Sequence, residues 1–430
     1  MNIVLIGVIM IAVFMALVLS KKFSVLPLLV LIPIIFGFIA GFGTDTFMYA
    51  VKGMLGVGST VAMLTFAILY FGIMLCAGLF DPLADVVIKF MKGDPFRVVV
   101  GTAILSALVS LDGDGTTTIM ICCAALIPVY DKLNINRLYL AIFVIIPNGI
   151  INLLPWGGPT ARLLAILDLD SSVLLLKLMP LIIVGIIATI LLAAFVGLKE
   201  RKRLGIVEMN FEASNVDISP EEAKFRRPKM VWFNLILTII CLIAIIVLGI
   251  PGPLVFAIGT CIALLCNYHN PKLEQKVIEY NAEGIINVVV MIFGAGVLMG
   301  MLSESGMASE MANALISIIP ESWGKFFTFI IAVVSGPAVW ILNNDAYYFG
   351  IFPVMAETAA TYGFSNMQIG LASLMGQSLR GFSPVIPALY FLASYLKIDF
   401  SEYQRKIIPF SLILFAVNLL TGLFMGVYTA

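Results

Sequence analysis

The sequence predicts an all-α polytopic membrane protein built from two inverted-topology repeats. Of its 430 residues, 61% are hydrophobic and 12% are charged, and so few polar residues cannot cover a soluble globule. Apolar runs of about 20 residues, the length that crosses a bilayer core, recur along the chain. Continuous and interrupted runs follow one another in the same order in the two halves of the sequence, which predicts a repeat.

The first repeat is expected at 1–198. Its two interrupted segments contain polar, Gly or Pro residues midway, and they predict a re-entrant hairpin at about 97–130 and a broken helix at about 138–167. The continuous helices of this half are expected at about 3–20, 23–41, 54–79 and 172–198.

The second repeat is expected at 231–430, with a hairpin at about 325–360 and a broken helix at about 367–396. A hydrophilic stretch at 199–230 separates the halves and predicts a linker. The continuous helices of the second half are expected at about 231–249, 253–268, 284–303 and 407–428.

The basic residues predict the orientation in the membrane, because Lys and Arg near span ends favour the cytoplasmic side. If 97–130 returns to its side of entry, most of the 25 Lys and Arg residues fall on one side. This topology places both termini outside and the linker 199–230 in the cytoplasm of a multi-pass cell membrane protein. It also makes the opening helices of the two halves run in opposite directions, as inverted repeats require.

Two acids interrupt the first hairpin in "SLDGDGTTT" (110–118), where Asp112 and Asp114 lie at membrane depth. Non-helical backbone is tolerated there only where protein buries it or a water-filled cavity receives it, and intramembrane carboxylates require partners. Asp345 occupies the corresponding turn of the second hairpin. The two turns therefore predict a site, although Asp114 and Asp345 could also serve as helix N-caps.

The broken helices contain Pro and Gly near amides and hydroxyls, in "NGIINLLPWGGPT" (148–160) and "GQSLRGFSPVIP" (376–387). Because Pro removes backbone donors, each helix is expected to unwind there and to expose carbonyl groups that could coordinate cations. The alternative is a pair of kinked packing helices.

Arg162 and Arg380 are the basic residues expected within spans. Arg stays charged and binds carboxylates with two parallel hydrogen bonds, so the pair could provide the counter-charge for an organic acid. Two alternatives stay open: Arg162 could extend toward the membrane surface, and Arg380 could form a salt bridge with Asp345.

Other classes of protein are not favoured. The net charge is zero, which gives no general attraction to nucleic acid. No nucleophile and base pattern indicates an enzyme, and the single His, His269, is expected in a loop. The sequence lacks the His and Cys spacing of a metal site, so no tightly bound cofactor is expected.

Six short motifs follow one another along the chain: "GLFDP" (78–82), "KGDP" (92–95), "VVVGTA" (98–103), "LDGDGTTT" (111–118), "PWGGPT" (155–160) and "DAYYFG" (345–350). Together they resemble the citrate–divalent metal:proton symporters (CitMHS type) of the ion transporter superfamily, and the likeness covers nearly the whole chain. This resemblance implies uptake of citrate or a related tricarboxylate with Mg²⁺ or Ca²⁺ as co-substrate, coupled to H⁺. It also implies a homodimer in the lipid bilayer that moves by an elevator mechanism. Arg380 departs from the family pattern, which tends to have a His-containing stretch there.

The residues and the resemblance together give a candidate site, in which Asp112, Asp114 and Asp345 contact the metal or take the proton. Two alternatives are a sodium-coupled carrier of di- or tricarboxylates and a cation/proton antiporter. The candidate substrate-binding residues are Thr116, Thr117, Asn148, Asn152, Gly158, Thr160, Asn343, Asn344, Gln377, Ser378, Arg380 and Ser383.

Overall fold

The computed structural model describes residues 3–20, 22–79, 81–113, 115–206, 222–318 and 321–429. Over these ranges the chain forms helices and no β-strand. Seven of the described helices are long and apolar enough to cross a membrane. The predicted all-α polytopic fold is confirmed. Asp114 and the middle of the predicted linker, 207–221, lie outside the described residues.

The described residues of the first half form ten α-helices, and a 3₁₀ turn at Ser110–Asp112 lies between two of them. They are α1 (Ile3–Ser20), α2 (Val25–Ala40), α3 (Asp45–Gly56), α4 (Gly58–Cys76), α5 (Asp81–Met91), α6 (Pro95–Val109), α7 (Gly115–Lys132), α8 (Arg137–Ile151), α9 (Gly158–Ile166) and α10 (Ser171–Leu204).

The second half adds eleven α-helices in the described ranges, with a π-helical turn at Tyr347–Ile351 and a 3₁₀ segment at Met375–Phe382. They are α11 (Val231–Ile246), α12 (Gly252–Asn267), α13 (Pro271–Glu304), α14 (Met307–Ile316), α15 (Glu321–Gly324), α16 (Phe327–Ile341), α17 (Asn344–Ala346), α18 (Phe352–Thr361), α19 (Asn366–Leu374), α20 (Pro387–Leu396) and α21 (Phe400–Phe424).

The region expected as one helix at about 54–79 contains a bend. Helix α3 ends at Gly56, Val57 separates the two helices, and α4 starts at Gly58. Glycine disfavours a continuous helix because it gains the most backbone freedom on unfolding, so two glycines around Val57 favour a break there. Most of α3 lies before the predicted start, because Asp45 and Lys52 interrupt its apolar pattern.

Three further differences concern polar helices. The short helices α5 and α14 precede the two hairpin segments and were not predicted. Helix α13 starts at Pro271 rather than near 284, because its first turns are polar and do not resemble a membrane span. Asn270 stabilises that start, since its side chain accepts a hydrogen bond from Lys272 N at 2.9 Å.

Helix α13 is a central packing element that contacts α2, α3, α4 and α9. Beside it, α4 and α12 carry an aromatic cluster of Tyr70, Phe71 and Phe256. Trp156, from the break between α8 and α9, stacks on Phe71 with a ring-centroid distance of 5.2 Å. The cluster therefore fixes the first broken segment against the helices that surround it.

Candidate functional site

The first hairpin segment consists of α6, the 3₁₀ turn at Ser110–Asp112, and α7. Its start is fixed by Asp94, which accepts a hydrogen bond from Phe96 N at 3.0 Å and precedes a proline at the first helical position. At the tip, Gly113 has a φ of +81°, a left-handed conformation that glycine adopts without a steric penalty. The chain can thus reverse within the few residues of the motif.

A group of buried polar side chains joins this hairpin tip to helix α8. The Asn148 amide donates to Ser110 Oγ at 3.1 Å and to Thr118 Oγ1 at 3.3 Å. The two hydroxyl oxygens lie 3.1 Å apart. Buried polar groups that satisfy one another define a unique arrangement, so Asn148 positions the hairpin relative to the break.

The first broken segment unwinds between α8 and α9. Asn152 bridges the interruption, since its Oδ1 accepts a hydrogen bond from Gly158 N at 2.7 Å. Thr160 Oγ1 donates to Leu153 O at 2.7 Å, which satisfies a carbonyl released by the break. Trp156 Nε1 donates to Leu111 O at 2.8 Å and ties the break to the hairpin tip.

The second hairpin segment reverses at Asn343, whose Oδ1 caps α17 by accepting from Ala346 N at 2.7 Å. Asn343, and not Asp345, therefore caps this tip. Asn344 is buried, and neither polar atom of its side chain has a partner among the described residues. A π-helical turn follows at Tyr347–Ile351, a local geometry that is frequent at functional sites.

The second broken segment contains an eight-residue 3₁₀ segment, Met375–Phe382, between α19 and α20. Such a long 3₁₀ run is uncommon and often marks a functional hinge. It crosses α16 closely, since a Cβ on Gly376 would lie 2.3 Å from Gly336 N. Among the described residues, Gln377 Oε1 and Ser378 Oγ are buried without a hydrogen-bond partner.

These elements enclose a cavity of about 400 Å³, a volume typical of small-molecule sites. The first hairpin and both broken segments form its walls, together with Leu414 of α21. Its polar lining residues are Thr116, Asn148, Asn152, Gln377, Ser378 and Arg380.

The two intramembrane arginines have different environments. Arg162 Nε lies 2.5 Å from Asp345 Oδ1, and Arg162 Nη1 donates to Gly158 O at 2.8 Å. Arg380 lines the cavity and makes no side-chain hydrogen bond or ion pair with a described residue. Asp345 is therefore paired with Arg162, and the interpretation that Arg380 pairs with it does not describe this structure.

A second cavity of about 310 Å³ lies between the first hairpin tip, α9, α4 and α13. Asp112 and Arg162 line it. Gly113 and Gly158 line both cavities, so they form part of the wall between the two.

The structure brings many of the predicted substrate-binding residues into one lining. Thr117, Thr160, Asn343, Asn344 and Ser383 are outside the described lining of the first cavity. Of these, Thr160 and Asn343 make the hydrogen bonds given above, and Ser383 Oγ donates to Trp340 O at 2.7 Å. The predicted residues that do line the first cavity are Thr116, Asn148, Asn152, Gly158, Gln377, Ser378 and Arg380.

Sequence reasoning missed the residues that hold the lining in place. Ser110 and Thr118 were not predicted, although both fall in the interrupted motif of the hairpin. Trp156 belongs to "PWGGPT", and a tryptophan within a helix break could have indicated a packing role. No sequence pattern assigned the apolar wall at Ile386–Leu389 to the cavity, because apolar residues are abundant throughout the chain.

A polytopic helical fold whose broken helices surround a polar cavity is typical of a membrane transporter. A family model described as "Citrate transporter" (CitMHS) matches residues 1–376. The chain therefore belongs to the citrate transporter family, and the predicted family membership is confirmed.

Two relatives from Bacillus subtilis (strain 168) match nearly the full length. One, named citrate transporter, is 42% identical over 423 residues, which cover 98% of this chain and 99% of the relative. The other, named Mg(2+)/citrate complex secondary transporter, is 39% identical over 425 residues, or 98% of each chain.

Two solved transporter structures share the fold. The Alcanivorax borkumensis YdaH transporter aligns with a TM-score of 0.56 at 16% identity, over 91% of this chain and 89% of its own. Neisseria gonorrhoeae MtrF aligns with a TM-score of 0.58 at 14% identity, over 87% and 83% respectively. These alignments support the architecture.

Proposed function

We propose that the protein is a secondary active transporter that takes up citrate as a complex with a divalent metal ion, coupled to protons. Membership of the citrate transporter family and the names of the two Bacillus relatives support citrate and Mg²⁺ as substrates. The metal ion enters with citrate as cargo, and Mg²⁺ or Ca²⁺ suits the oxygen ligands of such a chelate.

The observation that carries the proposal is Arg380. Its guanidinium lines the cavity and has no partner among the described residues, so it is available to a carboxylate. In the described part of the chain, Gln377 Oε1 and Ser378 Oγ also lack hydrogen-bond partners. A buried polar atom without a hydrogen bond is costly, and a polar ligand would remove that cost.

The charge of the substrate fits this lining. Fully ionised citrate carries three negative charges, whereas its complex with one divalent cation carries one. Transfer of a single charge to a site at membrane depth costs far less desolvation energy than transfer of three. Arg380 supplies one positive charge that can compensate the chelate.

We assign the carboxylates of the chelate to Arg380 and to the lining residues Thr116, Asn148 and Asn152. Asp112 lines the adjoining cavity and is placed to face the metal or to take the coupling proton. Asp114, two residues after Asp112 in the sequence, lies outside the described residues and is the second candidate for this role. Asp345 is neutralised by Arg162.

Larger features of the proposal follow the family resemblance. The protein would act as a homodimer, and the hairpins and broken helices of each protomer would move together as an elevator. Both termini would lie outside and the segment 199–230 in the cytoplasm. The distribution of Lys and Arg supports this orientation.

Uptake into proteoliposomes tests the proposed function. We expect radiolabelled citrate to accumulate under an imposed pH gradient only when Mg²⁺ or Ca²⁺ is present, with Na⁺ absent throughout. Uptake that requires Na⁺ and ignores the divalent ion would instead identify a sodium-coupled carboxylate carrier. Proton flux without citrate movement would identify a cation/proton antiporter.

Replacing Arg380 tests the central residue. Arg380→Gln removes the charge, and hydrogen bonds to charged groups contribute about 1.5–3 kcal/mol, so affinity for the chelate should fall about 10- to 150-fold. Arg380→Lys keeps the positive charge and should retain part of the affinity for the chelate. Arg405→Gln, on an exposed position of α21, is the matched control. Equal affinities of the Arg380→Gln and Arg405→Gln proteins would contradict the assignment.

A further inference from the structure

We propose that Asp345 determines substrate specificity: by neutralising Arg162, it limits the positive charge at the site and so selects the singly charged metal–citrate chelate over free citrate. This inference rests on the proposed function and deepens it. It assigns Asp345 the role of an internal counter-ion rather than that of a metal ligand or proton carrier.

The ion pair is well defined and largely protected from solvent. Arg162 Nε and Asp345 Oδ1 are 2.5 Å apart, and the two side chains are 20% and 14% exposed. Arg162 also donates to Gly158 O at 2.8 Å, which holds the guanidinium at the start of α9. Ion pairs with little solvent exposure are screened much less by salt than surface pairs.

The pair lies close enough to the substrate cavity to influence it. Arg162 contacts Gly158, and Gly158 lines the substrate cavity as well as the second cavity beside it. Arg380 lies within electrostatic range of both Arg162 and Asp345. The three side chains therefore carry a net charge of plus one. Asp112, which lines the second cavity together with Arg162, is the same in the wild type and in the variants below, so it does not affect their comparison.

Removing the Asp345 carboxylate would change this charge without removing a substrate contact. Arg162 cannot lose its proton in a protein, so Asp345→Asn raises the local charge by one. An anion with three negative charges gains more from an added positive charge than an anion with one. The variant should thus favour free citrate relative to the chelate.

The experiment measures the affinity of purified protein for citrate in EDTA and in excess Mg²⁺, by titration calorimetry in detergent and by uptake in proteoliposomes. We expect the ratio of the two dissociation constants, free citrate over chelate, to fall by about tenfold or more in Asp345→Asn, because the two anions differ by two charges and each interacts with the added charge at an effective dielectric constant of about 20. The double variant Asp345→Asn with Arg162→Gln should restore the wild-type ratio.

A single Arg162→Gln variant tests the same idea in the opposite direction. It leaves the Asp345 carboxylate unpaired, so the ratio should rise above the wild-type value. Asp345→Glu preserves the charge and should leave the ratio unchanged. If Asp345→Asn cannot be purified as folded protein, these two variants still decide the question, since an unchanged ratio in Arg162→Gln overturns the proposal.

A second Asp–Arg pair provides a matched control. Arg137 contacts Asp131 at 2.6 Å between the end of α7 and the start of α8, outside the described lining of both cavities. Asp131→Asn, alone or with Arg137→Gln, should keep the wild-type ratio. If the ratio of dissociation constants fell similarly in this control, any broken ion pair would alter selectivity, and the proposal would be wrong.

The inference and the proposed function fail in different ways. Wild-type protein that binds free citrate as well as the chelate would contradict the proposed function. A different result would contradict only the counter-ion role of Asp345. In that result the wild type prefers the chelate, Asp345→Asn loses affinity equally for free citrate and for the chelate, and the double variant does not recover the lost affinity.

Discussion

Trp156 shows how one residue serves both the hairpin tip and the surrounding helices. Its indole Nε1 donates to Leu111 O at 2.8 Å, and its ring packs on Phe71 and Phe256. The side chain is 3% exposed, so water cannot replace the hydrogen bond. The tip of the first hairpin therefore depends on a side chain from a different segment.

Trp156→Phe should destabilise the tip while keeping most of the aromatic packing. The variant leaves the Leu111 carbonyl without its donor, which costs about 1–3 kcal/mol when the group stays buried. We expect a lower melting temperature in detergent and slower citrate uptake. Trp340→Phe is the control, because Trp340 is 38% exposed and its indole makes no hydrogen bond with a described residue. Equal melting temperatures for the two variants would show that the Leu111 contact is unimportant.

At the scale of elements, α3 and α13 cross with their backbones almost in contact. A Cβ on Gly53 would lie 2.0 Å from Gly296 O and 2.6 Å from Gly300 Cα. Small residues allow such close approach between membrane helices, where packing rather than the hydrophobic effect drives association. The crossing thus explains why the polar helix α3 remains docked on α13.

Gly53→Val should separate the two helices. No flexible side chain can move away, because the atoms that the new methyl groups would meet belong to backbone, and overpacking of this kind costs about 1–3 kcal/mol or more. We expect a marked loss of thermal stability. Gly284→Ala on the same α13 is the control, since a Cβ there meets nothing within 4 Å. Full stability of Gly53→Val would disprove the tight crossing.

Each half contains, in the described residues, a short helix, a hairpin segment, a broken segment and a long closing helix in that order. The two broken segments differ in detail. The first unwinds over six residues, 152–157, whereas the second continues as a 3₁₀ segment before α20. The difference places Gln377, Ser378 and Arg380 along one wall of the cavity.

In the whole molecule, the cavity lies at the helix breaks. Ile119 of α7, Ile145 of α8 and Leu389 of α20 line it. The ends of these helices meet, since Arg137 donates to Leu396 O at 2.9 Å and binds Asp131. In the proposed orientation this end faces the cytoplasm.

Cysteine labelling tests the direction in which the cavity opens. Ala388→Cys lines the cavity and should react with a membrane-impermeant maleimide from the cytoplasmic side, in inside-out vesicles. Ala360→Cys, exposed near the end of α18, should react from the opposite side. Both variants need Cys261 and Cys266 replaced by Ser, because the other native cysteines are buried. Labelling of position 388 in right-side-out vesicles alone would refute the proposed orientation.

The sequence by itself determined the class of the fold and the position of its interruptions. Hydropathy over about 20 residues is a local property, so it located most spans and the unusual turns around 112 and 345. Short polar helices such as α5 and α14 were not predicted, because their apolar faces can be recognised only when the helices that they pack against are known.

Only the tertiary structure decided which charges meet. Arg162 and Asp345 are 183 residues apart in the chain, and no local pattern indicates their pairing. The sequence favoured Arg380 over Arg162 as the partner of an organic acid but could not identify the partner of Arg162. In the structure Asp345 pairs with Arg162, and Arg380 lines the cavity. The physical reason is that a charged side chain at membrane depth needs a partner close to it in space. Which residue becomes that partner depends on how distant segments of the chain pack together.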